Sequence, residues 1–387
     1  SASKAATVYQ AANAITAYAN PVVSSAGSYA TFAAGGATKT PSAPTYSQQT
    51  TYTSGSKGSI TTGATISYSM ASTTGFTLGS TSTGSLTAAN RTTTVGSART
   101  ATITVTVTLN SKSGTGSITA TQEANSAIYG TPVVTVSYAD ISAGGSTVTP
   151  TKSFTQSLSY TSGSSGTAVT TGGTWAYSGT SVNTSTGAVA GSSLGTTVKA
   201  RTKITTATAT ITVNGKSGSK AADVYQAANN VTYGTPTITK GAYATFAAGG
   251  ATKTPSATTY SQTATYTSGS TASVTTGGTI TYSMTATTGW TLVSTSTGSL
   301  IAVNRTTTVG DARSTSVVVT VTVNSKSNTA TITATQEANK QTLSSVTASR
   351  SVATIAAKGG TSTMSATANY SYTSGSISTA NVSTSAT

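Results

Sequence analysis
The chain repeats one pattern at intervals of roughly 105–110 residues, and an interval of that size makes the building block a single small domain used several times. Gly-Gly stands at Gly35-Gly36, Gly144-Gly145, Gly249-Gly250 and Gly359-Gly360. Tyr-Thr-Ser-Gly-Ser stands at Tyr52–Ser56, Tyr160–Ser164, Tyr266–Ser270 and Tyr372–Ser376. Gln-Ala-Ala-Asn or Gln-Glu-Ala-Asn stands at Gln10–Asn13, Gln122–Asn125, Gln226–Asn229 and Gln336–Asn339. Tandem copies of one domain supply reach, spacing or multivalent contact more readily than a reaction centre.

The Gln-Ala-Asn signal closes each unit, which sets the expected units at 14–125, 126–229 and 230–339. The next unit opens at Tyr18…Pro21, Tyr129-Gly130-Thr131-Pro132 or Tyr233-Gly234-Thr235-Pro236. A Gly-Thr-Pro step suits a short, stiff connection, because Pro fixes φ and biases its predecessor to extended structure. The first and third units are near copies: residues 29–43 are identical to residues 243–257. The middle unit keeps the landmarks and differs between them, an A-B-A pattern. Residues 1–13 read as the last strand of a preceding unit, since Ala5–Asn13 parallels Ala221–Asn229. Residues 340–387 read as the first half of a further one. The chain is therefore expected to be a window on a longer array, with a native mass well above 37.9 kDa.

Inside a unit the clearest element is a late hairpin. Ala101–Leu109 alternates apolar residues with Thr, the period of a strand with one buried and one solvated face. The chain is expected to turn over Asn110–Gly114 and return along Ile118–Gln122. The middle unit runs Thr208–Val213 into Asn214-Gly215, a strong hairpin signal. The third runs Val317–Val323, turns over Asn324–Asn328 and returns along Ala330–Gln336. Further strands are expected at Thr65–Met70 and Thr279–Met284. Roughly seven short strands per unit, with no helical period, predict an all-β fold of tandem immunoglobulin-like β-sandwiches, arranged as beads in an extended rod.

The Ser, Thr, Gly and Ala bias resembles that of low-complexity chains. The interleaved Val, Ile and Tyr do not, because disorder depletes β-branched and aromatic residues. There is no Cys and no His. That excludes disulfides and thiolate sites and removes the commonest general base and metal ligand. The acids are Glu123, Asp140, Asp223, Asp311 and Glu337. The first unit holds Glu123 alone, short of the two carboxylates of a glycosidase or the clustered oxygens of a calcium site. No enzyme activity, catalytic residue, metal site or cofactor is expected. No apolar run approaches the roughly 18 residues of a membrane span, so no membrane insertion is expected of this segment.

Net charge is +15. The three units carry five cations against Glu123, six against Asp140 and Asp223, and five against Asp311 and Glu337. Charge spread in this way differs from the patch of a nucleic-acid binder. It fits solubility, or weak repeated attraction to an acidic surface.

Ala34-Gly35-Gly36, Arg99 and Gln122 recur in order as Ala143-Gly144-Gly145, Arg201 and Gln226, and as Ala248-Gly249-Gly250, Arg313 and Gln336. An opening strand into Ala-Gly-Gly, an Arg before a Thr/Val strand and a final strand ending in Gln resemble the bacterial immunoglobulin-like and BACON-type domains. Those occur in tandem on surface proteins of gut Bacteroidetes and in virion proteins of their phages. The resemblance implies an extracellular location and a spacer or glycan-binding role, with no ligand motif to carry over.

Several residues are weighed for binding. The Gly-Gly pairs lack phosphate-loop spacing and read as bulges or tight turns. The recurring Tyr52, Tyr160, Tyr266 and Tyr372, with Trp175 and Trp290, read either as core or as platforms for sugar rings. Arg91 and Arg305, in Asn-Arg-Thr-Thr-Thr-Val-Gly, read as solvated loop charges, or as grips for a carboxylated or sulfated glycan or a neighbouring copy. The candidate ligand-binding residues are Arg91, Arg305 and Trp290. The function expected is a structural fibre or stalk on an extracellular surface, a bacterial cell's or a virion's. Its partners would be neighbouring copies or that surface. The alternative is an adhesin that holds acidic glycans or mucin through many copies, and exposed aromatic faces would favour it.

Overall fold
The apolar–Thr alternation becomes long antiparallel hairpins. In the computed structural model, which describes residues 3–350, 357, 359, 360 and 362–386, Arg99–Leu109 pairs residue for residue with Lys112–Gln122. Ala101, Ile103, Val105, Val107 and Leu109 are buried, while the Thr residues between them face outward. Thr65–Met70 adds a third strand on the other edge. The turn is tighter than the sequence suggested. Only Asn110 and Ser111 lie between the strands, both at positive φ (49° and 61°), as a two-residue primed turn requires. Asn214-Gly215 (49° and 69°) and Asn324-Ser325 (48° and 60°) repeat it. Asn tolerates this region better than most residues, which is why it opens all three turns.

A second sheet faces the hairpin. Thr45–Tyr52 pairs with both Ile15–Tyr18 and Val22–Ser25 on one side and with Lys57–Ile60 on the other. A small sheet of Ala37–Lys39, Leu86–Ala88 and Phe76–Leu78 closes the end. Phe32, Tyr68, Phe76, Leu86, Ile103, Val105 and Ile118 fill the core between them. The third repeat rebuilds this arrangement around Phe246, Tyr282, Trp290, Leu300, Val317, Val319 and Ile332. Ten strands per such repeat replace the seven expected, because the opening edge is split into Ile15–Tyr18 and Val22–Ser25 and because Lys57–Ile60 and the small end sheet add short strands. The fold is one of tandem immunoglobulin-like β-sandwiches, with no helix among the described residues.

The Gly-Thr-Pro steps lie elsewhere than expected. They sit inside the repeat, between two edge strands: Val231–Tyr233 and Thr237–Thr239 both pair with Thr259–Tyr266, on either side of Pro236. Pro has no N–H to give a ladder, so it interrupts an edge.

By internal contact the chain forms two compact units. One is Ser1–Ala139, Thr149–Val189 and Thr205–Val224; the other is Asp140–Val148, Ala190–Ile204 and Tyr225–Thr387. The middle repeat contributes to both. In the first unit its Val133–Ser137 pairs with Thr151–Thr155, and Val134, Phe154, Ile211 and Val213 cluster. In the second, Gln341–Arg350, Ser362–Tyr372 and Ile377–Ala386 form a three-stranded antiparallel sheet. Residues 3–14 carry no strand.

Candidate inter-repeat joint and arginine grooves
The last strand of each sandwich ends in glutamine, and three residues later comes an asparagine with no exposed surface: Asn125, Asn229 and Asn339. Asn125 is fixed by its backbone, which exchanges two hydrogen bonds of 3.0 Å with Gly96. Its Nδ2 then donates to the carbonyls of Thr92 (2.9 Å) and Thr94 (3.0 Å) in its own repeat. Its Oδ1 accepts the backbone N–H of Ser162, in the next repeat, at 2.9 Å. Ser162 Oγ donates back to the Thr92 carbonyl at 2.5 Å.

Ser162 is the third residue of the Tyr160–Ser164 motif. That motif is a turn, closed by Tyr160 N–H to the Ser164 carbonyl (2.9 Å) and Gly163 N–H to the Tyr160 carbonyl (2.8 Å), with Gly163 at φ +82°. Its tip carries the serine into the preceding repeat. Gly35 lines the place where it lands, and a Cβ there would lie 2.7 Å from the Ser162 carbonyl oxygen. The Gly-Gly pair therefore has two tasks: Gly36 takes φ +83° for its turn, and Gly35 leaves room for the neighbour.

The same clasp closes twice more. Asn229 donates to the carbonyls of Gly195 and Thr197 (both 2.9 Å) and accepts Ser268 N–H at 2.8 Å; Ser268 Oγ reaches the Gly195 carbonyl at 2.5 Å. Asn339 donates to the carbonyls of Thr306 (2.8 Å) and Thr308 (2.9 Å) and accepts Ser374 N–H at 2.9 Å; Ser374 Oγ reaches the Thr306 carbonyl at 2.5 Å. The exposed Asn13 accepts Ser54 N–H at 3.1 Å. Four residues, 123–126, 227–230 or 337–340, separate the strands on either side of each joint.

An arginine network backs the clasp in the first and third repeats. Gln336 Nε2 donates to the carbonyls of Ala247 (2.8 Å) and Val303 (3.1 Å), and its Oε1 accepts Arg313 Nε at 2.6 Å. Arg313 Nη2 reaches the carbonyls of Gly289 (3.2 Å) and Val303 (3.0 Å). Its guanidinium sits 5.9 Å from the centre of the Trp290 ring. Gly289 is needed beneath it, since a Cβ would lie 2.1 Å from Arg313 Nη1. Gln122, Arg99, Gly75 and Phe76 repeat the arrangement. Burial, and secondly the neighbouring Arg305 or Arg91, pushes the pKa of Arg313 and Arg99 below the usual arginine value.

Arg91 and Arg305, two of the three candidate ligand residues, lie at the joints. Arg91 Nη1 donates to the carbonyls of Ser97 (2.7 Å) and Glu123 (2.9 Å); Arg305 Nη1 donates to those of Asp311 (2.6 Å) and Glu337 (3.1 Å). Each thus holds the chain as it leaves the repeat. Trp290, the third, is 5% exposed and packs edge-on against Phe246 at 5.2 Å. It has no ring face open to a sugar. Trp175 is half-buried with Lys152 Nζ 5.0 Å from its ring centre. The four repeated tyrosines are half-buried beside their turns, outside the core clusters.

The middle repeat departs from this plan. Leu194 takes the place of Arg91, since both donate a backbone N–H to the alanine before Gly-Gly. Arg201, in the place of Arg99, makes a two-pronged ion pair with Asp140 (2.6 and 2.7 Å) and stacks on Tyr225 at 3.7 Å.

Sequence reasoning used the asparagines and the serine turns as landmarks and missed that they meet. Their partners lie 37, 39 and 35 residues apart, so the signal was co-recurrence of two motifs across a boundary. It also missed Gln48, Gln156 and Gln262, buried at the opposite end of the sandwich. Each holds two carbonyls and the Asn of the hairpin turn.

No protein-family model matches the chain, and no curated protein matches it. Among solved structures it is similar to a protocadherin gammaB7 EC3-6 cis-dimer structure, at 12% identity over 94% of this chain and 99% of that one, with a TM-score of 0.24. Drosophila N-cadherin EC1-4 matches at 9% identity over 82% and 91%, with a TM-score of 0.21. Drosophila OTK extracellular domains 3-5 match at 9% identity over 81% and 97%, with a TM-score of 0.16.

Proposed function
We propose that the chain is a spacer segment of a structural array on an extracellular surface, of a bacterial cell or a virion, whose repeats are successive sandwiches of about 14–125, 126–229 and 230–339. The observation that carries this is the clasp: the same Asn–Ser pair closes at Asn125, Asn229 and Asn339. A joint of four hydrogen bonds, two of which cross from one repeat to the next over a four-residue link, resists bending in a way that a flexible tether does not. A BACON-type origin fits this role. Electron microscopy of single chains tests it by measuring the angle at each joint. A narrow angle distribution that broadens when all three asparagines become alanine is expected. A wild-type distribution as broad as the variant's would refute it.

The second reading is attachment to acidic glycans. The buried Trp290 removes one of its aromatic platforms, and what favours it is the pair of arginines at the joints of the first and third repeats.

A further inference from the structure
In the third repeat a groove of about 460 Å³ opens beside the joint, lined by Arg305 and Arg313 with Asn304, Thr306, Thr308 and Thr288. Two guanidinium groups border one groove, and no carboxylate among the described residues is paired with either. Asp311 and Glu337 offer Arg305 their backbone carbonyls, and their exposed side chains make no ion pair with it. Arg313 Nη1 and Arg305 Nε and Nη2 have no protein partner among the described residues. The first repeat places Arg91 and Arg99 in the same relation.

The middle repeat is the internal control. There the second arginine is replaced by Leu194, and the remaining one, Arg201, is given Asp140. The positions equivalent to Asp140, just before Ile141, are Thr31 and Thr245. Thus one repeat type neutralises its single guanidinium internally, while the other sets two side by side and leaves both uncompensated. Like charges held together this way favour an anion that accepts from both, and charge-assisted bonds to a two-oxygen group are the strong ones. The volume falls in the range of small-molecule sites, roughly 300–1,000 Å³, so one sugar ring fits. The hydroxyls of Thr288, Thr306 and Thr308 and the amide of Asn304 suit its hydroxyl groups.

We propose that the groove at Arg305/Arg313, and the matching arginine pair Arg91/Arg99, each bind the carboxylate or sulfate of an acidic saccharide unit, one per A-type repeat and none in the middle repeat. The proposal deepens the glycan reading and rests on it for the choice of ligand, while the site rests on the arginine pair alone. Binding also touches the clasp, because Thr306 and Thr308 are the residues whose carbonyls Asn339 holds.

The test is titration of the full chain, at constant ionic strength, with a sulfated disaccharide, a uronic-acid disaccharide, their neutral parent and inorganic sulfate, followed by calorimetry and by backbone-amide NMR. Two sites per chain are expected for at least one acidic sugar, with shifts centred on Thr306, Thr308, Thr92 and Thr94. The neutral sugar should give none. The variant Arg91→Leu with Arg305→Leu copies the middle repeat's own solution, so the sandwich has a precedent for folding with it. It should weaken binding at least tenfold. Shift mapping on the wild-type chain decides the location even if that variant unfolds. Shifts elsewhere, or unchanged affinity in a folded variant, overturn the site. Binding of inorganic sulfate at the grooves with no binding of either acidic sugar overturns the ligand and the glycan reading while leaving the charge pair explained.

Discussion
Replacing Asn125 by alanine isolates what the clasp contributes. The side chain makes three hydrogen bonds in a site with no solvent exposure. Alanine leaves the Ser162 N–H and the Thr94 carbonyl without partners; the Thr92 carbonyl keeps Ser162 Oγ. At about 0.5–1.5 kcal/mol net for each lost bond, and with a further penalty for buried groups left unpaired, the loss comes to about 2–4 kcal/mol. That is a large fraction of the roughly 5–15 kcal/mol that holds a domain folded. For sandwiches of this size it corresponds to a fall of about 10–20 °C in melting temperature for the affected repeats. Urea unfolding and native-state hydrogen exchange measure it. The amides of Gly96 and Ser162 should lose protection together, although they belong to different repeats. Asn13 supplies the control, because it is exposed and makes one bond, to Ser54. Asn13→Ala should change stability by less than about 1 kcal/mol. If Asn125→Ala matches Asn13→Ala, with Ser162 still protected, the clasp does not hold the repeats.

Gln262→Leu, at the other end of the third sandwich, removes the bonds to the carbonyls of Gly234 and Val323 and from the Asn324 amide; a loss of about 2–4 kcal/mol in urea unfolding is expected. Gly289→Ala forces a Cβ into the Arg313 guanidinium at φ +82°, and a loss above about 2 kcal/mol, with near-ultraviolet change at Trp290, is expected. Asp140→Asn breaks an exposed, solvent-screened ion pair, and urea unfolding near neutral pH should shift little. Asp140 has its pKa lowered by the Arg201 hydrogen bond, so this small contribution is present above the ordinary aspartate range and is lost as pH falls through the depressed value. Tyr29 and Tyr243, pushed by burial up to about 12, hold their protons longer folded than unfolded. Stability should therefore be intact below pH 10 and fall as pH rises from 10 toward 12, with these two tyrosines among the last to ionise in a spectrophotometric titration.

The sequence by itself determined the fold class, the repeat interval and the hairpins. Those follow from local rules: Thr alternating with Val or Ile can bury only one face, and Asn at the turn admits positive φ. The alternation at Ala101–Leu109 and Val317–Val323 needed no partner to be legible. Tertiary structure decided which markers act together. Asn125 and Ser162 belong to different repeats, and nothing local shows that a turn tip reaches back to the preceding strand end. Trp290 reads in sequence as readily for surface as for core, and only packing against Phe246 and Arg313 buried it. The Gly-Thr-Pro steps looked like connections because Pro stiffens a chain, but pairing on both sides of Pro236 with one strand makes them edge breaks. Arg91 and Arg305 were visible as charges in a polar loop. That each stands beside a second arginine, without the carboxylate the middle repeat gives Arg201, is a fact of three dimensions, because the partners come from different loops and electrostatics acts through space.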